Sequence, residues 1–284
     1  MVQEDAGRHG ALRTLALVAC LAAMLALGRG TAAADHNDDL YRTQTIVTGQ
    51  GEESRGLGFA ACLAQVLVKV SGDPRLLGDP GVAALAGQAA TFVADFGYGD
   101  RMAGIPVHDE QGTRDRPYDL AVGFDPAKID AALRALGREP WSAASRPRLV
   151  VLLGVRIGAT SYVLASDGER GRDQREALRA AAERFGMPIA LPDQPALADA
   201  GLSYQKLAQA DPSSLDAIIR KSGDLALVGS MIWSEETLGW VADWRLAAPG
   251  RAYRWQIRGV GFDEAFRNAM AGAAQVLSGH GQPG

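Results

Sequence analysis

The chain has 284 residues, 29 basic and 33 acidic, and nearly half are apolar, which supports a packed core and excludes a disordered tail. A net charge of −4 with no basic stripe along the sequence gives no basis for binding nucleic acid through its phosphates. Two cysteines, Cys20 and Cys62, exclude a disulfide framework.

The first thirty-four residues read as an export signal. Arg8 and Arg13 precede an apolar run from Leu15 to Leu27, and Ala32-Ala33-Ala34 offers a cleavage site before Asp35. The run is too short for a membrane span, so no transmembrane segment is expected after cleavage. Leu17-Val18-Ala19-Cys20 also matches a lipoprotein pattern, although the apolar run continues past Cys20. The expected location is the periplasm. Cleavage would leave 26 basic and 31 acidic residues, a net charge of −5, with Cys62 as the single thiol.

Beyond the leader, Tyr41 to Thr48 is rich in threonine and reads as a strand. Phe59, Cys62, Leu63, Val66 and Val70 recur at helical spacing from Ser54 to Val70, and Ser71-Gly72-Asp73-Pro74 stops that helix. The alanine-rich Val82 to Phe96 predicts a second helix, and Gly97 to Arg116 a polar loop. Leu120, Val122 and Phe124 alternate as a strand; Asp125-Pro126 then caps a short helix that Gly137 ends.

Glu139-Pro140-Trp141 through Arg146-Pro147 reads as a domain boundary. Leu149 to Val155 is apolar throughout, the signature of a strand buried on both faces. The charged segment 167–173, a helix from Gln174 to Phe185 and a short strand from Met187 to Leu191 follow. A helix opens at Asp211-Pro212 and stops at Gly223. Leu225–Trp233, Trp240–Leu246 and Tyr253–Val260 then form an antiparallel meander with one packed and one wet face, and the helix through Phe262, Phe266, Met270 and Leu277 covers the packed side. The expected fold is α/β in the α+β sense. It comprises a signal peptide (1–34), an N-terminal α/β domain (35–144) and a C-terminal α/β domain (145–280). The second domain has the order β-α-β-α-β-β-β-α and a mixed sheet carrying the three-strand meander.

Reactive residues are few. Gly49-Gln50-Gly51 follows a strand and opens a helix, but Glu52 and Glu53 would repel a phosphate there and instead complement the helix dipole. His108 is the one interior histidine, so a Ser-His-Asp device would have to use it, and no G-x-S-x-G elbow is present. One thiol and one interior imidazole make a poor zinc set, and Arg170 and Arg172 spoil the Asp167, Glu169 and Asp173 group for calcium. No catalytic residue, metal ligand or cofactor is nominated. Cys62 lies among apolar neighbours and is expected to be buried. Trp240, Trp244 and Trp255 fall on the packed parity of the meander; Trp233, at a strand end, is the candidate binding residue.

Several motifs together resemble the DUF2066 family of uncharacterised exported bacterial proteins. They are Val66-Leu67-Val68-Lys69-Val70-Ser71-Gly72-Asp73, Leu120-Ala121-Val122-Gly123-Phe124-Asp125, Trp141 with Arg146-Pro147, Met187-Pro188-Ile189-Ala190-Leu191-Pro192, Ala226-Leu227-Val228-Gly229 and the Trp244 strand. The resemblance implies an envelope protein and supplies no catalytic residue. The element order from Arg148 to Leu277 is similar to small periplasmic protein-binding modules such as the TolB N-terminal domain. The expectation is a non-enzymatic module that binds an envelope protein; the alternatives are a periplasmic hydrolase acting on glycan or peptide, and a glycan-binding module.

Overall fold

The computed structural model describes residues 39–104 and 115–284, with the side chains of Ser213, Asp216 and Ala217 left out. The predicted leader, Cys20 and the segment His108-Asp109-Glu110 lie outside the described residues. The class is α+β: helices packed on two sheets, one antiparallel and one mixed.

The first sheet comes from β1 (Arg42–Thr48), β2 (Val93–Asp100) and β3 (Pro117–Phe124), all antiparallel in the order β1-β3-β2. Helix α1 (Glu52–Ser71) lies on it, burying Phe59, Leu63, Val66 and Val70. Each such side chain contributes about 1.5–3 kcal/mol on leaving water. Glu52 and Glu53 occupy the first turn of α1, the dipole-complementing position expected of them. At the other end Gly72 adopts φ 73°, and its N–H donates to the Val68 carbonyl. Glycine is required there twice over, because a Cβ would also lie 2.7 Å from Ser278 Cβ.

The alanine-rich helix is corrected. Helix α2 spans only Pro80–Leu85, 3₁₀ turns carry Ala86–Phe92, and Val93 begins β2, which runs through part of the predicted loop. Alternation decides the outcome: Phe96 and Tyr98 point to the α1 side, where Phe59, Phe96, Tyr98 and Tyr118 form a ladder of edge-to-face rings. Helix α3 (Pro126–Ala135) follows β3, and the Asp125 carboxylate accepts from the N–H groups of Ala127 and Lys128.

The chain passes to the second sheet between Trp141 and Arg148. Strand β4 (Leu149–Ile157) is buried on both faces to Val155 and is flanked by β5 (Thr160–Val163) and the two-residue β6 (Ile189–Ala190). Strand β6 is much shorter than Met187–Leu191. Between them lies helix α4 (Arg172–Arg184), and after them come α5 (Gln194–Asp199), α6 (Tyr204–Gln209) and α7 (Asp216–Ser222). The meander follows as β7 (Leu225–Ser234), β8 (Gly239–Ala248) and β9 (Arg251–Val260), closed by α8 (Phe262–Leu277). Strand β7 runs parallel to β4, giving the order β5-β4-β7-β8-β9 with β9 at an edge. Helices α4 and α8 cover one face. One buried cluster joins α1, the first sheet and this covered face of the second, while a smaller cluster lies under α5–α7 on the opposite face.

Candidate functional site

Four places in the fold gather functional groups. The first is the tryptophan row. Trp240, Trp244 and Trp255 are buried on the α8 side of the meander, with Trp244 wedged over Gly229 and Trp255 Nε1 donating to the Asn268 carbonyl. Trp233 shares that face, is partly exposed, and sits edge-on to Trp240 at 5.7 Å between centroids. Register extends β4 to place Ile157, which is exposed, beside it at the end of the sheet.

The second is a buried polar cluster that unites residues far apart in sequence. The Asp73 carboxylate is fully buried and accepts from Arg75 Nε and Arg138 Nε, each at 2.7 Å. Burial alone would raise its pKa, but the hydrogen bonds from Arg75 and Arg138 outweigh that and hold it at about 2. His280 Nε2 approaches the same carboxylate at 3.9 Å, and its Nδ1 lies 2.8 Å from Ser278 Oγ. A Ser-His-Asp device was expected to need His108; the tertiary fold instead brings a serine, a histidine and an aspartate together here. The geometry is that of a clasp. Asp73 is committed to two guanidinium groups and does not hydrogen-bond the imidazole, and the Ser278 hydroxyl faces the carbonyls of Gly72 and Gln275. Burial, with help from Arg138 and Arg75 and against Asp73, pulls the His280 pKa down, which favours the neutral ring.

Arg146 ties the two sheets together beside this cluster. The residue is 6% exposed, and its guanidinium stacks on Trp141 at 4.3 Å and donates to the carbonyls of Lys69, Val70, Trp141, Phe185 and Gly186. The carbonyls of Lys69, Val70, Phe185 and Gly186 lie at the ends of α1 and α4, where a helix leaves acceptors without partners, and that of Trp141 lies in the connection between the sheets. Burial lowers its pKa to about 10. Cys62, fully buried nearby in α1, has its thiol pushed up to about 12 by the same effect.

The third is an open depression of about 580 Å³, lined by Arg148, Leu191, Lys221 and Asp224 among others. It sits where β4 and β7 begin, whereas parallel sheets collect ligands at the carboxyl ends of their strands. The Asp224 carboxylate accepts from the Arg148 N–H at 2.7 Å, so it joins the starts of the two strands.

The fourth is the wet face of the meander, which sequence reading did not single out. Helices α5–α7 cover this side over β4 and the start of β7, but stop short of its far part. Ile232 and Val241 are left partly exposed there as neighbours across β7 and β8, and Gln256 and Arg258 on β9 are exposed. Arginines surround them. Arg156 on β4 pairs in register with Ile232, and its guanidinium lies 6.0 Å above the Tyr204 ring. Arg245 on β8 stands opposite Arg254 on β9, a like-charge pair that costs stability. Arg245 is braced by the Leu207 and Ala210 carbonyls at the end of α6; burial, and then Arg254, lower its pKa. Asp243 is the acidic side chain among them and bonds Arg254 at 3.2 Å. The four arginines come from positions 156 to 258, so no basic run in the sequence announces them; strand parity and register are the only signal.

Among the described residues, no group of three or more His, Cys, Asp or Glu is placed to hold a metal ion, and no helix is long and apolar enough to cross a membrane. A family model described as "Domain of unknown function (DUF8605)" matches residues 34–142, the segment that carries the first sheet and leaves out the arginine-ringed face. No curated protein and no solved structure matches the chain. The resemblance to DUF2066 is therefore corrected: the matching family of unknown function is a different one. The motifs that suggested it are common local solutions, a helix end with a left-handed glycine at Gly72 and a strand running into the Asp125 cap.

Proposed function

We propose that the chain is a non-enzymatic module of the cell envelope that binds a partner protein through the arginine-ringed face of the meander. One observation carries this reading. The α8 side of the sheet is closed except around Trp233 and Ile157 at its end, while the opposite side leaves a floor of Ile232 and Val241 partly exposed between Arg156, Arg245, Arg254 and Arg258. Exposed apolar surface rimmed by polar groups is characteristic of interaction sites, and arginine is over-represented at the energetic centres of interfaces. The reading of residues 1–34 as an export signal supports a periplasmic setting. Trp233 faces the other side of the sheet and would belong to a separate contact.

The test is crosslinking in intact cells followed by capture of the tagged protein, with an Arg254→Glu/Arg258→Glu variant alongside and fractionation to locate both. A specific envelope protein recovered with the wild type and lost from the variant is the expected result. Equal recovery from both, or fractionation with the cytoplasm, would refute the reading.

A further inference from the structure

The geometry points to an amphipathic helix of the partner protein, with acidic side chains on both flanks of an apolar stripe, as the occupant of the arginine-ringed face. This rests on the binding role proposed above and names its chemistry. Spacing comes first. Arg156 on β4 and Arg258 on β9 are separated by three strand intervals, about 14 Å at the usual 4.8 Å spacing. Arg254 and Arg258 are four residues apart along one strand, about 13 Å. These spacings spread the cations over a patch wider than a single small anion, which suits a ligand carrying several separated negative charges. Between the flanks, Ile232 and Val241 form an apolar floor two strands wide. A helix about 10–12 Å across fits that width, its stripe on the floor and its acidic flanks toward Arg156 on one side and Arg254 and Arg258 on the other. Helices α5–α7 already cover the adjoining part of this face in the same manner.

Two further features suit an anionic ligand. All four cations are arginines, whose planar fork pairs bidentately with carboxylate or phosphate, and the DNA arm of the test separates the two. Protection of the exposed sheet edge accounts for Arg254 and Arg258 on β9, and the α6 carbonyls engage Arg245, but neither accounts for Arg156 on the interior strand β4.

The probe is a labelled designed helical peptide with a leucine stripe flanked by glutamates, compared with the same peptide carrying lysines and with a DNA oligonucleotide, by fluorescence anisotropy. The glutamate peptide is expected to bind at least tenfold more tightly than either, and at least tenfold more weakly to an Arg156→Glu/Arg258→Glu variant whose melting temperature is unchanged. Both substitutions lie at exposed positions, and Arg156→Gln with Arg258→Gln serves if charge reversal disturbs folding. Equal binding of the two peptides, tighter binding of DNA, or indifference to the substitutions would overturn the inference. In parallel, a photo-crosslinking residue at Gln256, with Leu57 on α1 as control, should attach to an acidic segment of the captured partner; attachment to a neutral or basic segment would overturn it. Arginine-dependent capture without glutamate-peptide binding defeats the helix while sparing the binding role; capture independent of the arginines defeats both.

Discussion

Replacing Arg146 by methionine tests whether one side chain holds the two sheets together. The guanidinium makes short hydrogen bonds to the Lys69 carbonyl at 2.7 Å and the Phe185 carbonyl at 2.9 Å, and longer ones to Trp141, Gly186 and Val70. Val70 keeps a second donor, the Trp141 N–H, so it suffers least. Methionine fills most of the volume but leaves the other carbonyls short of a donor, at about 1–1.5 kcal/mol for each strong bond. Loss of the stack on Trp141 adds about 1 kcal/mol. The expected destabilisation is about 4 kcal/mol, a large share of the usual 5–15 kcal/mol. Arg146→Lys keeps the charge but not the fork, and should lie between wild type and methionine. Urea unfolding at pH 7, followed by far-ultraviolet circular dichroism, reads both the midpoint and the slope. A loss below about 1 kcal/mol for the methionine variant, or a lysine variant equal to wild type, would show that these contacts do not carry the junction.

The remaining predictions concern the buried groups. Asp73 has a folded pKa of about 2 against an ordinary 3.8, so its contribution is fully present above about pH 4 and is lost as pH falls toward 2. Wild type should therefore lose about 2 kcal/mol across that range, and Asp73→Asn, weaker at neutral pH, should show a flatter acid limb; parallel acid limbs would contradict it. Gly229→Ala would put a methyl group into the Trp244 ring and 2.9 Å from Leu153 Cδ1. It should cost about 1–3 kcal/mol and shift the tryptophan emission, and an unchanged melting temperature would refute that packing. In the chain beginning at Asp35, Cys62 should react with a thiol reagent at pH 8 only as fast as the protein opens, and at once in denaturant; immediate reaction of the native protein would contradict its burial.

Local pattern made much of this molecule legible in its sequence. Helix α1 was readable because its apolar residues recur at helical spacing and Gly72 ends it, and the meander because Trp240, Trp244 and Trp255 keep strand parity. The Asp125 cap and the fully buried β4 were readable for the same kind of reason. The segment from Val82 to Asp100 was misread because alanine's high helix propensity is a weak prior that tertiary contacts override: Phe96 and Tyr98 are held in a strand by the rings of Phe59 and Tyr118. The clasp of Asp73 with Ser278 and His280, the five carbonyls around Arg146, and the four arginines around Ile232 and Val241 join residues tens to hundreds of positions apart. By itself the sequence determined most of the local elements and the buried faces, because propensity, periodicity and capping act within a few residues. Only the tertiary structure decided which charges meet and which face stays open, because sheet register and helix placement set those distances, and neither is written in any single stretch of chain.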